Sequence, residues 1–574
     1  MFFVFVETLQ NWLRPSFERV LGESGPACLE LQVQATTNPE FGDYQCNNAL
    51  PLAKALKRPP RDLATAVLQD AGTHPAVARA EIAGPGFINI FLTDAAVIDE
   101  LERILVGDDV LLPSVGSDRT VVLDYSSPNV AKPMHIGHIR STIIGCALDR
   151  MHRALGYTVI ADNHIGDWGT QFGILLMGFK NLRDEAALEA DPVAELERLY
   201  VASYTRSKDD AEWLDASRQE LVKLQAGDTE NRALWEKFRL WSMGEFDRVY
   251  KRLGVSFDLS RGESYYNDAL PGMLTRLQDA GLARESEGAQ VVFLEDEKLP
   301  VCIVQKSDGG FNYATTDLAT VASRVDEFDP ERIIYVTDER QQLHFRQFFA
   351  ICAKLGIKTQ LSHVYFGLMR LPEGTISTRE GNIIKLEALL DEAERRALTL
   401  VQASSTEMPA EQQQDVARAV GIGAVKYADL SQNPQTNITF TWDKALALDG
   451  NSGPYLQYAQ ARICSVKDKF HTAFPDANFA DCAVVFSEPI ERTLALKLTR
   501  YPDEVARATR LFKPNIIADY LYDLSQAYSS FYQNVPFLKA EEGLRESRLR
   551  LCAGVGAVLR HGLGLLGIET PERI

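Results

Sequence analysis

Helical and strand-like patterns alternate along the first part of the chain. Apolar side chains recur at helical spacing near the start, at Phe2, Val6, Leu9 and Leu13. The turn-rich segments 38–44 and 84–90 follow. Together they predict a small α+β module over residues 1–112.

A second pattern begins after the polar, turn-forming join at 112–118. A short apolar run at 121–125 is followed by an amphipathic segment at 136–155, which ends before Gly156. Another apolar run occupies 157–161. The order strand, helix, strand predicts a parallel sheet and an α/β Rossmann-like fold.

The rest of the chain is mainly helical in pattern. A charged, helical insertion spans about 175–298, and apolar runs return at 301–304 and 333–336, so we interpret 118–385 as one interrupted Rossmann-like domain. Helical spacing then dominates residues 386–574 and predicts an all-α bundle.

With 12 Lys and Arg against 10 Asp and Glu, residues 491–574 carry about +2, whereas the rest of the chain carries about −21. The C-terminal bundle is therefore the natural place for a polyanion to bind.

The composition and the cysteine pattern limit the classes of protein that this chain can belong to. The 574 residues suffice for about three to four domains, and the net charge of −19 leaves room only for a local basic face. Eight cysteines form neither a CxxC pair nor a Cys/His cluster, so no zinc site and no disulfide framework are predicted. No run of 18 apolar residues indicates a membrane span. We expect a soluble protein of the reducing cytoplasm.

The densest chemical motif lies between the first strand and the first helix of the Rossmann-like region. The turn contains His135, Gly137 and His138. Backbone N–H groups at a helix N-terminus attract anions, and glycine lets a nucleotide approach the backbone. The two histidines can donate hydrogen bonds to phosphate oxygens. This turn predicts a phosphate-handling site.

His135-Ile-Gly-His138 resembles the HIGH signature of class I aminoacyl-tRNA synthetases. The chain more narrowly resembles the arginyl-tRNA synthetase family, through the segments 126–133, 164–173, 313–317, 340–344 and 450–458. The resemblance implies a ligase that activates L-arginine with Mg-ATP only when tRNA is bound, and then transfers arginine to the terminal ribose. It also implies a monomer.

A guanidinium ligand calls for carboxylates, because its fixed donors pair bidentately with an acid. Asp124, at a strand end, and Asp317 are the candidate acids. The family motifs imply further arginine-binding residues: Ser127, Asn129, His138, His164, Tyr313 and Gln341. Magnesium is expected to arrive with ATP.

The second class I signature, KMSKS, corresponds here to 375–379, where both lysines are missing. Pyrophosphate departure needs positive charge beside the developing anion. We therefore hypothesise that Lys132 supplies it, helped by Arg379, with Ser377 as a further catalytic group. His363 is expected to border the adenine of ATP.

Recognition of tRNA is predicted at both ends of the chain. RNA loops stack on aromatic side chains beside cations. Tyr455, Tyr458 and Arg462 offer this combination, ahead of basic helices that carry Arg492 and Arg500. The resemblance also implies that an N-terminal module touches the tRNA elbow, through Asn38, Phe41 and Tyr44.

Other functions remain open at this stage. A small-molecule nucleotidyltransferase shares the histidine motif but does not need the helical C-terminal region. A catalytically silent tRNA-binding relative would keep the end domains and lose the site. A class I synthetase of another specificity would lack the paired acids.

Overall fold

The computed structural model describes residues 5–26, 29–36, 38–106, 109–370, 385–405, 407–480 and 482–574. These residues form an N-terminal antiparallel sheet with helices, a central parallel sheet with a long insertion, and a C-terminal array of helices. The fold therefore has the α+β, Rossmann-like and all-α parts that the sequence pattern predicts.

The N-terminal part begins with the predicted amphipathic helix. Its elements are α1 Phe5–Leu21, β1 Val33–Ala35, β2 Tyr44–Cys46, α2 Ala49–Leu56, α3 Pro60–Ala71, β3 Val77–Ala83, β4 Phe87–Leu92, α4 Asp94–Ile104, β5 Leu105–Val106 and β6 Asp109–Val110. Strands β1–β4 pair antiparallel in the order β1-β2-β4-β3. Leu9, Leu13 and Phe17 are spaced so that one face of α1 is buried in the core.

The central part starts at the predicted strand and contains the insertion. In chain order its elements are β7 Thr120–Asp124, α5 Ile136–Ala154, β8 Thr158–Asp162, α6 Gln171–Leu182, α7 Glu185–Ala190, α8 Pro192–Asp209, α9 Ala211–Gln225, α10 Thr229–Leu253, α11 Leu270–Asp279, β9 Ala283–Ser286, β10 Ala289–Val292, β11 Cys302–Gln305, α12 Tyr313–Phe328, β12 Arg332–Asp338, α13 Gln342–Lys354 and β13 Gln360–Phe366.

Two sheets divide these strands. Strands β13-β12-β7-β8 are parallel, so the carboxyl ends of β7 and β12 meet at one edge, where ligands bind in open α/β sheets. The strands β9, β10 and β11 form a separate antiparallel sheet. The apolar run at 301–304 thus falls in the small sheet, because β11 pairs with β10 rather than with a parallel strand.

The C-terminal part is predominantly helical. Its elements are β14 Met369–Arg370, α14 Leu386–Ser404, α15 Ala410–Leu430, β15 Ile438–Thr439, α16 Trp442–Ala445, α17 Gly453–Ala473, α18 Pro489–Thr499, α19 Tyr501–Leu511, α20 Asn515–Asn534 and α21 Leu544–Leu565. Among the described residues, none of the helices has the length and apolar character needed to cross a bilayer.

Two arginines expected on an RNA-binding face instead join the C-terminal helices to the N-terminal part. Arg492 pairs with Asp43 at 2.9 Å and with Asp94 at 2.7 Å. Arg500 donates to the carbonyl oxygen of Asp43 at 2.8 Å. Their charges are used in holding the two ends of the chain together.

Candidate active site

The loop between β7 and α5 carries the histidine motif on a strained backbone. Ser126, Ser127 and Ala131 adopt left-handed φ angles of 71°, 48° and 62°. Such conformations cost about 1 to 3 kcal/mol each and persist where surrounding contacts hold them. Here the Ser126 N–H donates to Ser141 Oγ at 2.9 Å, and the Ser127 N–H donates to Asn163 Oδ1 at 3.1 Å. The loop is therefore held in one shape before any ligand binds.

Backbone donors set the tautomers of both signature histidines. The Gly137 N–H donates to His135 Nδ1 at 3.0 Å, and the His135 N–H donates to His138 Nδ1 at 3.1 Å. Because each Nδ1 accepts a hydrogen bond, each Nε2 carries the proton. The ring centroids lie 3.9 Å apart. The site thus presents two adjacent Nε2–H donors.

Both rings are neutral at physiological pH. Burial, followed by the charges of Lys132 and Arg340, lowers the pKa of His135 to about 4. Burial, followed by His135 and Lys132, lowers the pKa of His138 to about 3. The histidines therefore act as hydrogen-bond donors, and the positive charge at the site comes from Lys132 and Arg340.

Two glycines are required by close approaches in this loop. A Cβ at Gly137 would lie 2.7 Å from Cε1 of His135. A Cβ at Gly166 would overlap the amide oxygen of Asn129, which forms an isolated parallel bridge with Gly166. Glycine at these positions lets the His135 ring fold over the helix start and lets Asn129 pack against the next loop.

The loop forms one wall of a cleft of about 730 Å³, and the ends of β12 and β13 with the segments that follow them form the other. Six of the predicted site residues line it: Ser127, Asn129, His135, Gly137, His138 and Gln341. Helix α5 directs its N-terminus into this cleft. Its backbone N–H groups, which favour an anion, therefore lie beside the two Nε2–H donors.

Asp124 is buried and is bound by other side chains of the protein. Arg324, which is 1% exposed, donates from Nη2 to Asp124 at 2.7 Å and to Asp162 at 2.8 Å. The other carboxylate oxygen of Asp124 accepts a hydrogen bond from Ser127 Oγ at 3.1 Å. A buried carboxylate needs such partners. As the chain is folded, Asp124 orders Arg324 and Ser127, and Asp317 remains the candidate acid for a guanidinium.

A second acid near Asp317 was not among the predicted residues. Burial, followed by the negative charges of Asp317 and Asp167, raises the pKa of Glu263 to about 8. Asp317 accepts from His344 Nε2 at 2.5 Å, and among the described residues neither acid forms an ion pair with lysine or arginine. We call Glu263 and Asp317 the acidic pair; the basic side chain that contacts it is His344.

Backbone contacts place this acidic pair beside the histidine loop. Asn129 bridges to Gly166, and the neighbouring Asp167 accepts from the Ser264 N–H at 2.9 Å. The Glu263 N–H donates to the carbonyl oxygen of Ile165 at 3.1 Å. Partial burial, followed by the negative charge of Glu263, raises the pKa of Tyr313, whose residue surface is 62% exposed. The acids therefore lie near the rim of the cleft, with Tyr313 beside them.

Arg340, at the start of the segment 340–344, was not among the predicted site residues. It lines the cleft, and its Nε donates to Asp338 at 2.7 Å. Lys132 also acts on His135, and its ammonium lies 4.9 Å from the centroid of the Tyr200 ring. Ser377 and Arg379 lie outside the described residues.

Two further histidines lie outside the cleft. His164 packs beside Tyr266, with ring centroids 5.6 Å apart, and none of the residues that the structure describes hydrogen-bonds its buried Nδ1. His363 stacks on Phe345 at 4.1 Å and hydrogen-bonds Thr337 Oγ1 at 2.8 Å. His363 is thus joined to the cleft through Thr337, which lines it, and the role of His363 beside adenine stays a prediction.

Arg140 is a positioning residue that the sequence analysis did not single out. It is 1% exposed, pairs with Asp429 at 2.9 Å, and donates to the carbonyl oxygens of Gly367 at 2.6 Å and Thr436 at 3.0 Å. One guanidinium thus ties the first turns of α5 to α15 and to the chain after β13. Its position five residues after His135 did not indicate this role, because a buried arginine is rare.

The predicted RNA contacts differ in accessibility. Phe41 is 48% exposed and Tyr458 is 43% exposed, with the Arg462 guanidinium 5.1 Å from the Tyr458 ring centroid. Tyr44 is only 1% exposed and lies under Arg500, so it offers no surface to RNA. Asn38 accepts from the Glu40 N–H. The Tyr455 hydroxyl accepts from Gln526 at 3.0 Å.

Three family descriptions match successive parts of the chain. They are "Arginyl tRNA synthetase N terminal domain" over residues 8–92, "tRNA synthetases class I (R), catalytic domain" over residues 100–442, and "DALR anticodon binding domain" over residues 456–574. The chain belongs to the arginyl-tRNA synthetase family.

Individual relatives agree with this assignment over the whole length. The arginine–tRNA ligase of Fusobacterium nucleatum is 44% identical over 95% of both chains, and that of a Marinomonas species is 41% identical over 99% of this chain and 100% of the relative. The arginyl-tRNA synthetase structure of Plasmodium falciparum has a TM-score of 0.85 at 27% identity and covers 100% of this chain and 99% of its own. That of Thermus thermophilus has a TM-score of 0.83 at 25% identity and covers 99% and 100%.

Proposed function

We propose that this chain is an arginine–tRNA ligase that uses ATP to attach L-arginine to tRNA. The observation that carries the specificity is the acidic pair Glu263 and Asp317 beside the histidine cleft, which has no lysine or arginine partner within the described part of the chain. A guanidinium offers a permanent positive charge and parallel N–H donors, so it fits such a pair better than other amino-acid side chains do. Tyr313 flanks the bound guanidinium.

The first step joins arginine to AMP. An arginine carboxylate oxygen attacks the α-phosphate of Mg-ATP, and the bond to the departing pyrophosphate breaks. The Nε2–H groups of His135 and His138 donate to phosphate oxygens, while Lys132 and Arg340 offset the charge that develops on pyrophosphate. Ser127, Asn129 and Gln341 orient the amino acid in the cleft. No protein nucleophile takes part.

The second step transfers arginine to tRNA. The 2′-hydroxyl of the terminal ribose attacks the arginyl carbonyl carbon, and AMP leaves. In this proposal Ser377 and Arg379 contribute to the ATP site, the first step requires bound tRNA, and magnesium enters as part of the ATP substrate. The enzyme acts as a cytoplasmic monomer in which residues 1–112 contact the tRNA elbow and residues 386–574 the anticodon.

Transfer of labelled arginine to unfractionated tRNA tests this function. The expected product is acid-precipitable label that mild alkali releases, because an ester joins arginine to ribose. Formation should require ATP, magnesium and an intact tRNA 3′ end. Folded protein that binds tRNA but forms no such ester would contradict the proposal and would favour a catalytically silent relative. The variant Asp317→Asn should raise the KM for arginine while leaving the KM for ATP unchanged.

A further inference from the structure

A second cavity, of about 740 Å³, lies where the three parts of the chain meet. It is lined by Val33 of β1, by Arg332 of β12 and by Arg500 between α18 and α19, among others. Strand β12 begins at Arg332 in this cavity and ends at Asp338 in the histidine cleft. The strand spans about 20 Å at 3.3 Å per residue. This junction cavity is therefore at the amino end of the parallel sheet, apart from the candidate active site.

Three buried polar atoms that belong to lining residues have no hydrogen-bond partner among the residues that the structure describes. They are the Tyr44 hydroxyl, Nε of Arg500 and Oδ2 of Asp503. Burial, followed by the charge of Glu504, raises the pKa of Asp503 to about 7, although Arg500 acts in the opposite direction. Buried donors and acceptors are costly to leave unpaired. The cluster therefore indicates a ligand that offers both a donor and an acceptor.

An apolar wall lies beside this polar cluster. Val121, His152 and Leu155 contribute to it, and all three are buried. Phe512 completes the wall at the C-terminal end of α19, with a left-handed φ of 55° where glycine is usual. The Phe512 ring stacks on His152 with centroids 6.3 Å apart. Such a wall suits the apolar body of a ligand rather than a cluster of water molecules.

The cavity as a whole favours an anion. Its lining contains five arginines against three acids. Two of the exposed arginines have acidic partners, since Arg119 lies 3.5 Å from Glu331 and Arg507 lies 3.0 Å from Glu504. Arg510 is also exposed, and the acids of the described residues form no ion pair with it. Arg510 is therefore the lining cation with most charge to offer to a ligand.

We propose that the junction cavity binds a guanine nucleotide. The N1–H and 2-amino groups of guanine donate to the Asp503 carboxylate, while its O6 accepts from Nε of Arg500. The Tyr44 hydroxyl is a further partner for the base, and the phosphates extend to Arg510. Adenine fits less well, because it lacks the N1–H donor. The volume also lies within the range of about 300 to 1,000 Å³ that is typical of small-molecule sites. The proposal does not depend on arginine charging, because it concerns the opposite end of the sheet.

Equilibrium dialysis of labelled GTP against the full chain tests this site. The candidate active site is first filled with a saturating non-hydrolysable ATP analogue. We expect one GTP per chain, and about tenfold weaker binding of inosine triphosphate, which lacks the 2-amino group. Arg510→Gln should weaken GTP more than it weakens guanosine, because guanosine has no phosphate.

Asp503→Asn tests the base contact directly. This variant should bind GTP about 10- to 100-fold more weakly than wild type does. It should instead prefer xanthosine triphosphate, because an asparagine amide can donate to the 2-oxo group of xanthine. Recovery with xanthosine triphosphate would also show that the variant is folded. Asp476→Asn, at an exposed position in the same part of the chain, is the control and should bind GTP as wild type does.

Three results would overturn the assignment. They are no binding of GTP at about 1 mM, equal affinity for GTP and inosine triphosphate, and unchanged GTP binding by Asp503→Asn. Displacement of GTP by inorganic tripolyphosphate at equal concentration would also contradict it, since that result would show a site for phosphates alone.

Discussion

Glu263→Gln tests the acidic pair by removing one charge and keeping the shape. Burial, followed by the charges of Asp317 and Asp167, raises the pKa of Glu263 to about 8. Compared with the ordinary pKa of a glutamate, this shift disfavours the ionised carboxylate of the free enzyme by about 4 to 5 kcal/mol. A bound guanidinium supplies the missing cation, so arginine binding should ionise Glu263 and release a proton.

The sign of the pH dependence follows from this linkage. Below pH 8 the free carboxyl is mostly protonated, and arginine must displace the proton, so affinity rises with pH and levels off above about 8. If the pKa in the complex falls below 6, the Kd for arginine decreases about 50-fold from pH 6 to pH 8. Glu263→Gln should bind arginine about 10- to 100-fold more weakly than wild type at pH 8, since a charged hydrogen-bond partner is lost. Its affinity should not vary with pH in this range.

Folding stability should show the opposite slope in the absence of arginine. The folded protein holds a proton on Glu263 that the unfolded chain has released, over the range from about 4.5 to about 8. The free energy of unfolding therefore decreases as pH rises through this range, and Glu263→Gln lacks that contribution.

Titration calorimetry of arginine at pH 6, 7 and 8 in two buffers measures both Kd and proton release. Glu285→Gln, at an exposed position, is the matched control. A wild-type Kd that is constant with pH and equal to that of Glu263→Gln would refute the reasoning.

Three other substitutions test separate parts of the site. Lys132→Ala should lower the rate of ATP–pyrophosphate exchange about 100-fold, because one of the two cations beside His135 is lost; an unchanged rate would remove Lys132 from the mechanism. Asp429→Asn should lower the free energy of unfolding in urea by about 3 to 5 kcal/mol, because the buried charge of Arg140 loses its anion; a loss under about 1 kcal/mol would contradict the pairing argument. Gly137→Ala should slow exchange without shifting the urea midpoint, because its Cβ displaces the His135 ring; unaltered exchange would show that this ring does not act on ATP.

The parts of the site that the sequence predicted depend on local determinants. His135 and His138 follow a strand and begin a helix, and both the strand and the helix have clear patterns within about 40 residues. The strand β7, the helix α5 and the strand β8 were predictable for the same reason, since apolar periodicity and a terminating glycine act over short distances. Ser127 and Asn129 line the cleft because they belong to the same turn.

The parts that the sequence did not predict depend on residues far apart in the chain. Nothing near Asp124 indicates that Arg324, 200 positions later, neutralises it. Arg140 and Asp429 are 289 positions apart, and neither belongs to a motif of its own. Glu263 becomes a site residue only because the insertion folds back beside Asp167 and Asp317. Tyr44 belongs to a turn-rich segment that was expected at the surface, yet Arg500, between α18 and α19, lies over its ring.

ATP–pyrophosphate exchange with a panel of amino acids, each with and without unfractionated tRNA, tests the central claim most directly. The acidic pair predicts exchange with arginine alone among the panel, and the family resemblance predicts that it requires tRNA. Exchange with another amino acid, or equal exchange with lysine, would contradict the assignment of Glu263 and Asp317 as a guanidinium site. Absence of exchange in both conditions, from folded protein, would contradict the proposal that this chain activates arginine.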